Sequence, residues 1–204
     1  MIPPGRKHPH LAPYNCQVRT AVLIPLKAFQ DAKVRLSTVL DATNRADLAR
    51  QMAEIVVAAA IPIPTTVVTN DQEVANWAKH LGVGIIRDNG SGLNDAVALG
   101  VATLTAEGFE QIVVAHGDLP LANDLTKCTD FKGVSLIPDR HEDGTPVAVI
   151  PTGVGFCFSY GPGSFTRHIA EAQRLGLRWR RLDDPNLSWD VDEPEDLILS
   201  LIHI

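Results

Sequence analysis

Aromatic side chains are scarce in this 204-residue chain, at 5% of the total, so aliphatic residues have to build its core. Hydrophobic residues make up 45% of the sequence, and a domain of this length buries roughly 70% of the surface that its unfolded form exposes. Long apolar runs are also missing: no stretch approaches the ~20 residues of a membrane-spanning helix. Residues 1–19, which carry several Pro and His, lack the continuous apolar centre of a secretory signal. They read as a flexible N-terminal extension, and residues 20–204 as a single domain. The last six residues, Leu199 to Ile204, are apolar and uncapped, and read as the mark of a truncation or a foreign tail.

Cysteine is sparse. Cys16, Cys128 and Cys157 are odd in number and far apart, which fits neither a disulfide framework nor paired zinc ligands. Reduced thiols in a cytoplasmic protein are the simplest reading. A basic excess is lacking as well, with 18 Lys and Arg against 24 Asp and Glu and a formal charge of −6. That balance argues against a nucleic-acid surface, which needs clustered cations to displace counterions. A small anionic ligand would instead need a local basic pocket. Neither G-x-x-x-x-G-K-[ST] nor G-x-G-x-x-G occurs, so neither a standard phosphate-loop ATPase nor a dinucleotide enzyme is indicated.

What is present is an alternation of strands and helices. Ala21 to Ile24 is a short apolar run ended by Pro25, as expected of a parallel strand buried on both faces. Leu48, Met52, Ile55, Val56 and Ala59 recur at helical spacing behind Thr43 or Asn44 as a cap. Thr66 to Thr69 then reads as a strand. Asn70 to Glu73 has the spacing of a capping box ahead of an apolar stripe at Val74, Trp77, Ala78 and Leu81. Val83 to Ile86 and Ile112 to Ala115 are further strands, with an amphipathic helix through Leu93, Ala96, Val97, Val101 and Leu104 between them. Beyond Pro120 come shorter strands at Val134 to Ile137 and Val147 to Ile150, then a helix from about Ser164 to Leu175. The expected architecture is a three-layer α/β/α sandwich around a mainly parallel sheet. Ligands of such sheets bind beyond the carboxyl ends of the strands, which directs attention to the loops after Ile24, Ile86 and Ala115.

Each of these loops is chemically distinctive. The first holds Lys27, Lys33 and Arg35, three cations within nine residues, suited to phosphate oxygens or simply to solvent. The second, Asp88 to Ala96, contains Gly92-Leu93-Asn94, where backbone can approach a ligand and an amide can read a base; a glycine turn with an Asn cap uses the same letters. The third places Asp118 directly after a buried strand, where it can hold Mg2+ between nucleotide phosphates or make an Asx turn. Trp189 to Leu197 adds a second acidic station, in which Asp190 and Asp192 would alternate onto one side of an extended strand. Pro194 suits a first helical turn, and Glu195 and Asp196 read as complements to that helix, so Asp196→Asn is expected to lose little. Thr145, Gly161 and Ser164 lie in two further loops, the serine either holding an anion or capping a helix. His116 and His168 have no partner evident in the sequence and read as noncatalytic.

In order, P-x-K with A-K-x-R-L, G-x-G-L-N-x-A, G-D-L-P, D-G-T, G-P-G-S and D-V-D-E-P-E-D-L resemble the guanylyltransferases of deazaflavin (F-420) coenzyme biosynthesis. The resemblance covers about Ala21 to Leu197. It implies a nucleotide-diphospho-sugar transferase-like fold and transfer of GMP from GTP to phosphoenolpyruvate or 2-phospho-L-lactate, the former favoured slightly. By position it assigns Lys27, Lys33 and Arg35 to the phosphates as catalytic cations. Pro25, Lys27, Gly92, Leu93 and Asn94 would form the nucleotide site, Asp118 and Asp190 would hold Mg2+, and Thr145, Gly161 and Ser164 would hold the phospho-acid. His116, Gly117 and Pro146 depart from the family's usual residues. Two other readings compete. An enzyme of the same fold acting on a molybdopterin cofactor or sugar phosphate usually carries a longer Gly-rich first loop, absent here. A noncatalytic nucleotide-binding regulator would not need two acidic stations. Nucleic acid and membrane partners are not expected, and a homodimer is left open.

Overall fold

A computed structural model describes residues 18–200. The first seventeen residues, including Cys16 and most of the expected extension, and residues 201–204 lie outside that range. Within it, no helix is long and apolar enough to cross a membrane.

Seven strands form one sheet: β1 (Thr20–Pro25), β2 (Thr65–Thr69), β3 (Gly84–Arg87), β4 (Gln111–Ala115), β5 (Val134–Ile137), β6 (Val147–Pro151) and β7 (Trp179–Arg181). Their spatial order is β3-β2-β1-β4-β6-β5-β7. All pairings are parallel except those of β6, which runs antiparallel to both β4 and β5. The helices are α1 (Ala42–Ala59), α2 (Gln72–His80), α3 (Leu93–Ala106), α4 (Ser164–Arg174) and α5 (Pro194–Ser200).

Strand alternation divides the core into two. Val22 and Ile24 of β1 face a cluster with Ala49, Ala53 and Val56 of α1 and Val74 and Ala78 of α2. Ala21 and Leu23 face the opposite cluster, with Ala96, Val97 and Leu104 of α3 and Phe165 and Ala172 of α4. A strand covered on both faces has no polar side to show, hence the unbroken apolar runs. The result is the expected three-layer sandwich.

The chain departs from the sequence reading mainly at element ends. Asp41, not Thr43 or Asn44, caps α1, its carboxylate accepting from Asn44 N at 2.8 Å. Asp71 rather than Asn70 caps α2 through Val74 N, so the capping box does not form, and Glu73 pairs instead with Arg50. Ser164 does not cap α4, because Gly163, in a left-handed conformation, stands ahead of it. The segment around Asp190 and Asp192 is not a strand. β7 has no apolar run to announce it.

The strand order also fixes the site. After β1 the chain moves outward to β2 and β3, then returns to place β4 on the other side of β1. The carboxyl ends of β1 and β4 therefore flank a topological switch point, where the connecting loops leave in opposite directions and open a crevice.

Candidate active site

The crevice is a cleft of about 630 Å3 lined by Pro25, Lys27, Lys33, Arg35, Gly92, Leu93 and Asp118 among others. Seven of the residues singled out in the sequence are thus brought together. The loop after β1 is pinned at both ends by buried apolar side chains. Phe29 packs edge-on to Trp77 with ring centroids 5.3 Å apart, and fully buried Leu36 clusters with Met52 and Val191. Between these pins Lys33 adopts a left-handed backbone (φ 54°) and turns its side chain inward.

Asp118 reaches the cleft from the rigid end of β4. Gly117 allows this approach, since a Cβ there would lie 2.3 Å from Leu26 Cδ2. Lys33 Nζ donates to Asp118 Oδ2 at 2.6 Å and to Asp192 Oδ1 at 3.0 Å. Burial works to lower the Lys33 pKa, but the two carboxylates outweigh it and hold the ammonium above its ordinary value. Burial likewise works to raise Asp118, and Lys33, with a smaller contribution from His116, draws it below the usual carboxylate range. Arg35, at the more exposed edge, pairs with Glu193 at 3.3 Å. Lys27 is exposed at the cleft wall and makes no ion pair among the described residues.

The acidic station differs in detail from expectation. Asp192, which was not assigned a ligand role, lines the cleft and pairs with Lys33. Asp190 is half-buried and does not line the cleft, its carboxyl pushed up to about 7 by burial and by the charges of Asp118 and Asp192. The alternation of two aspartates around Val191 was the sequence signal for both. Among the described residues no group of three or more His, Cys, Asp or Glu side chains forms a cage for a metal ion. A fit remains: Asp118 Oδ1 is buried without a hydrogen-bond partner among the described residues, and burial with the charges of Asp118 and Asp192 disfavours the ionised form of Asp190. Magnesium typically takes one or two carboxylates and completes its shell with phosphate oxygens and water.

The residues expected to hold an acid do not line this cleft. Thr145 and Ser164 are buried, Ser164 Oγ lying 3.3 Å from Thr145 Oγ1, which is also 3.1 Å from His168 Nδ1. His168 is fully buried, its Nε2 accepting from Ser159 N at 3.0 Å. Gly161 sits in the adjoining loop with φ 108°, a conformation that favours glycine. Asn94 is engaged differently from expectation: its side-chain oxygen accepts from Tyr160 N at 2.7 Å, so it ties α3 to this second loop. His116 joins the two regions, lining the cleft while its ring lies 5.0 Å from that of Tyr160. Burial holds His116 below its ordinary pKa, and it is neutral at pH 7. Cys128 and Cys157 are both free thiols.

The family described as "Guanylyl transferase CofC like" matches residues 20–204. A phosphoenolpyruvate guanylyltransferase of Rubrobacter xylanophilus is 35% identical over 184 residues, covering 86% of this chain and 90% of that protein. A 2-phospho-L-lactate guanylyltransferase of Methanocaldococcus jannaschii is 27% identical over 200 residues, covering 93% of this chain and 85% of that protein. Among solved structures, a nucleotidyl transferase from Methanothermobacter covers 90% of this chain and 96% of its own, with a TM-score of 0.64 at 16% identity. CMP:2-keto-3-deoxy-manno-octonic acid synthetase has a TM-score of 0.59 at 13% identity, covering 91% of this chain and 98% of its own. These distant structures speak for the fold, which is nucleotide-diphospho-sugar transferase-like. The sequence match spans the whole domain, and on it the chain belongs to the CofC-like guanylyl transferase family.

Proposed function

We propose that this protein transfers GMP from GTP to phosphoenolpyruvate or 2-phospho-L-lactate, releasing pyrophosphate, as a step of coenzyme F-420 biosynthesis. The family supports the reaction class, and the names of the relatives supply the two acceptors. The observation that carries the reading is the triad of Lys33, Asp118 and Asp192 at the switch-point cleft, with Asp118 Oδ1 left without a partner. A buried carboxylate oxygen of that kind is costly unless something binds it.

In this reading the phosphate oxygen of the acceptor attacks the α-phosphorus of GTP. A new bond joins that oxygen to the α-phosphorus as the bond to the β-phosphate breaks, and pyrophosphate leaves with the electron pair. The acceptor phosphate is already an anion, so no general base is needed. Alignment and charge neutralisation supply the catalysis. Asp118 and Asp190, with Asp192 beside them, would hold Mg2+, which when bound would neutralise charge on the phosphates and the departing pyrophosphate. Lys27 and Arg35 would meet the triphosphate from the first loop, with Lys33 between them. Gly92 and Leu93 would line the base, Gly92 because a backbone without a side chain lets the ring approach. The loops of Thr145, Gly161 and Ser164 would hold the acid, with Thr145 and Ser164 acting through the backbone they fix rather than through their mutually occupied hydroxyls.

Cytoplasmic placement belongs to the same proposal and is supported by the free thiols. The test is pyrophosphate release by purified protein with GTP, ATP or CTP and a panel of phosphoenolpyruvate, 2-phospho-L-lactate and 3-phosphoglycerate. GTP with one of the first two acids is expected to dominate, and phosphoenolpyruvate is expected to be preferred. Equal turnover of all three nucleotides removes the guanine assignment, and preference for 3-phosphoglycerate removes the acceptor.

A further inference from the structure

The acidic segment carries carboxylates that need accurate placement, yet it has no strand ladder. From Trp189 to Glu193 its backbone bond to the sheet side of the cleft is a long one, Val191 N to Asp118 O at 3.4 Å. Val191 itself is buried against Leu36 and Met52, which fixes depth but not the direction of the residues on either side.

Direction is supplied by Asp196. Its carboxylate is 2% exposed, and Oδ2 accepts from both Asp192 N and Glu193 N at 2.8 Å. The other oxygen pairs with the guanidinium of Arg140. Arg140 in turn lies over the Trp189 ring at 4.7 Å, and its backbone N donates to Ser188 O at 3.0 Å. Arg140 thus holds the start of the segment and, through Asp196, its end. The next link is Asp192 to Lys33, then Lys33 to Asp118. Arg140 also belongs to the loop leading to Thr145, which Asp139 braces by accepting from His141 N, Asp143 N and Gly144 N.

We infer that Asp196, gripped by Arg140, is a positioning residue: it orients the backbone at Asp192 and Glu193 so that the Asp192 carboxylate meets Lys33 beside Asp118, and so sets the affinity of this acidic cluster for a divalent cation. This goes well beyond the modest helix complement that the sequence suggests for Asp196. The inference rests on the metal reading above. Removing a partner that orients metal ligands commonly weakens metal binding by about 10- to 100-fold. A residue that merely stabilised α5 would lower the melting temperature and leave the affinity of the folded protein unchanged.

The experiment titrates Mn2+ alone into wild type, Asp196→Asn, Arg140→Met, the double variant and Asp118→Asn, following free Mn2+ by its paramagnetic resonance, with circular dichroism confirming the fold. Wild type is expected to bind, Asp118→Asn to lose binding, and each single variant to bind about 10- to 100-fold more weakly. The double variant should be no worse than the weaker single, because the two side chains act as one unit. If Asp196→Asn fails to fold, Arg140→Met, which leaves the Asp196 carboxylate on its two backbone donors, carries the same comparison. Wild-type affinity in a folded Asp196→Asn or Arg140→Met overturns the positioning role while leaving the metal reading intact. A wild type that binds no Mn2+, or an Asp118→Asn that binds it normally, overturns both.

Discussion

Replacing Asp118 by Asn separates the chemistry of the cleft from its architecture. The amide is isosteric with the carboxylate, so no cavity opens and no transfer term is lost. What changes is one charge against Lys33, at 2.6 Å. Breaking a wholly buried ion pair leaves an uncompensated charge and costs about 3–5 kcal/mol. Here Lys33 keeps Asp192 at 3.0 Å, and the Asp118 side chain is 27% exposed, so water screens what remains. The stability loss should be nearer ~1 kcal/mol, or about 2–4 °C in melting temperature for a domain of this size. The activity loss should be far larger. One anionic ligand fewer, where charge develops on the departing pyrophosphate, should cost several kcal/mol of transition-state stabilisation, and about 4 kcal/mol is already a thousandfold in kcat. Thermal melts followed by circular dichroism, and pyrophosphate release at saturating GTP and acid, measure the two sides independently. Near-normal turnover in a folded variant would refute the reasoning. So would a variant unfolded at 25 °C, which would make Asp118 a structural turn residue.

Lys33→Met should have the opposite signature in the melt: Asp118 and Asp192 lose their common cation, so adding Mg2+ should raise the melting temperature of the variant more than that of wild type, while turnover falls. An equal Mg2+ shift in both, read by differential scanning calorimetry, would mean that the ammonium and the cation do not serve the same carboxylates. The buried His168 makes a further prediction about pH. Burial lowers its pKa from 6.5 to about 4, so the stability it contributes is present above its unfolded value and is lost as pH falls through the folded one. Between pH 7.5 and pH 5 that loss is about 2 kcal/mol, because the unfolded chain takes up a proton there while burial keeps the native imidazole neutral. Urea midpoints at the two pH values should differ accordingly, and His168→Gln, which cannot titrate there, should show a smaller difference; an identical difference would remove His168 as the cause.

The parts of the fold that were legible in the sequence are those whose surroundings are decided by burial alone. β1 and β4 are covered on both faces, so every residue from Ala21 to Ile24 and from Ile112 to Ala115 had to be apolar, and the run shows. β7 was illegible for the converse reason. It is Trp-Arg-Arg at a sheet edge, held by its pairing to β5 and by Arg180, which donates to Ser135 Oγ at 2.8 Å and pairs with Asp130. Nothing local prefers a strand there. Cap positions slipped by one to three residues because Asp41, Asn44, Asn70 and Asp71 all carry a side-chain oxygen. Which of them caps depends on where the backbone leaves the helix, which packing decides.

The candidate site divides along the same line. Lys33, Asp118 and the acidic segment were visible as charged residues beyond apolar strands, because an isolated charge beside a buried strand has few structural reasons to be there. Their pairing was not visible, since Lys33 meets Asp118 across 85 residues and Asp192 across 159. The acid-side hub of Thr145, Ser164 and His168 is a contact over 19 and 23 residues, and sequence reading gave the histidine no partner. Asp190 took its metal role from the family resemblance alone, since the strand expected from the sequence would have put Asp190 and Asp192 on one side alike. In the folded chain the segment is not a strand: Asp196 holds Asp192 N and Glu193 N, Asp192 pairs with Lys33, and Asp190 is half-buried outside the cleft lining. Local letters therefore indicate which residue types a phosphate-handling cleft must contain. Their placement depends on contacts that local letters do not carry: Asp196, four residues beyond Asp192, holds the backbone N of Asp192 and Glu193, and its own partner, Arg140, enters from another loop.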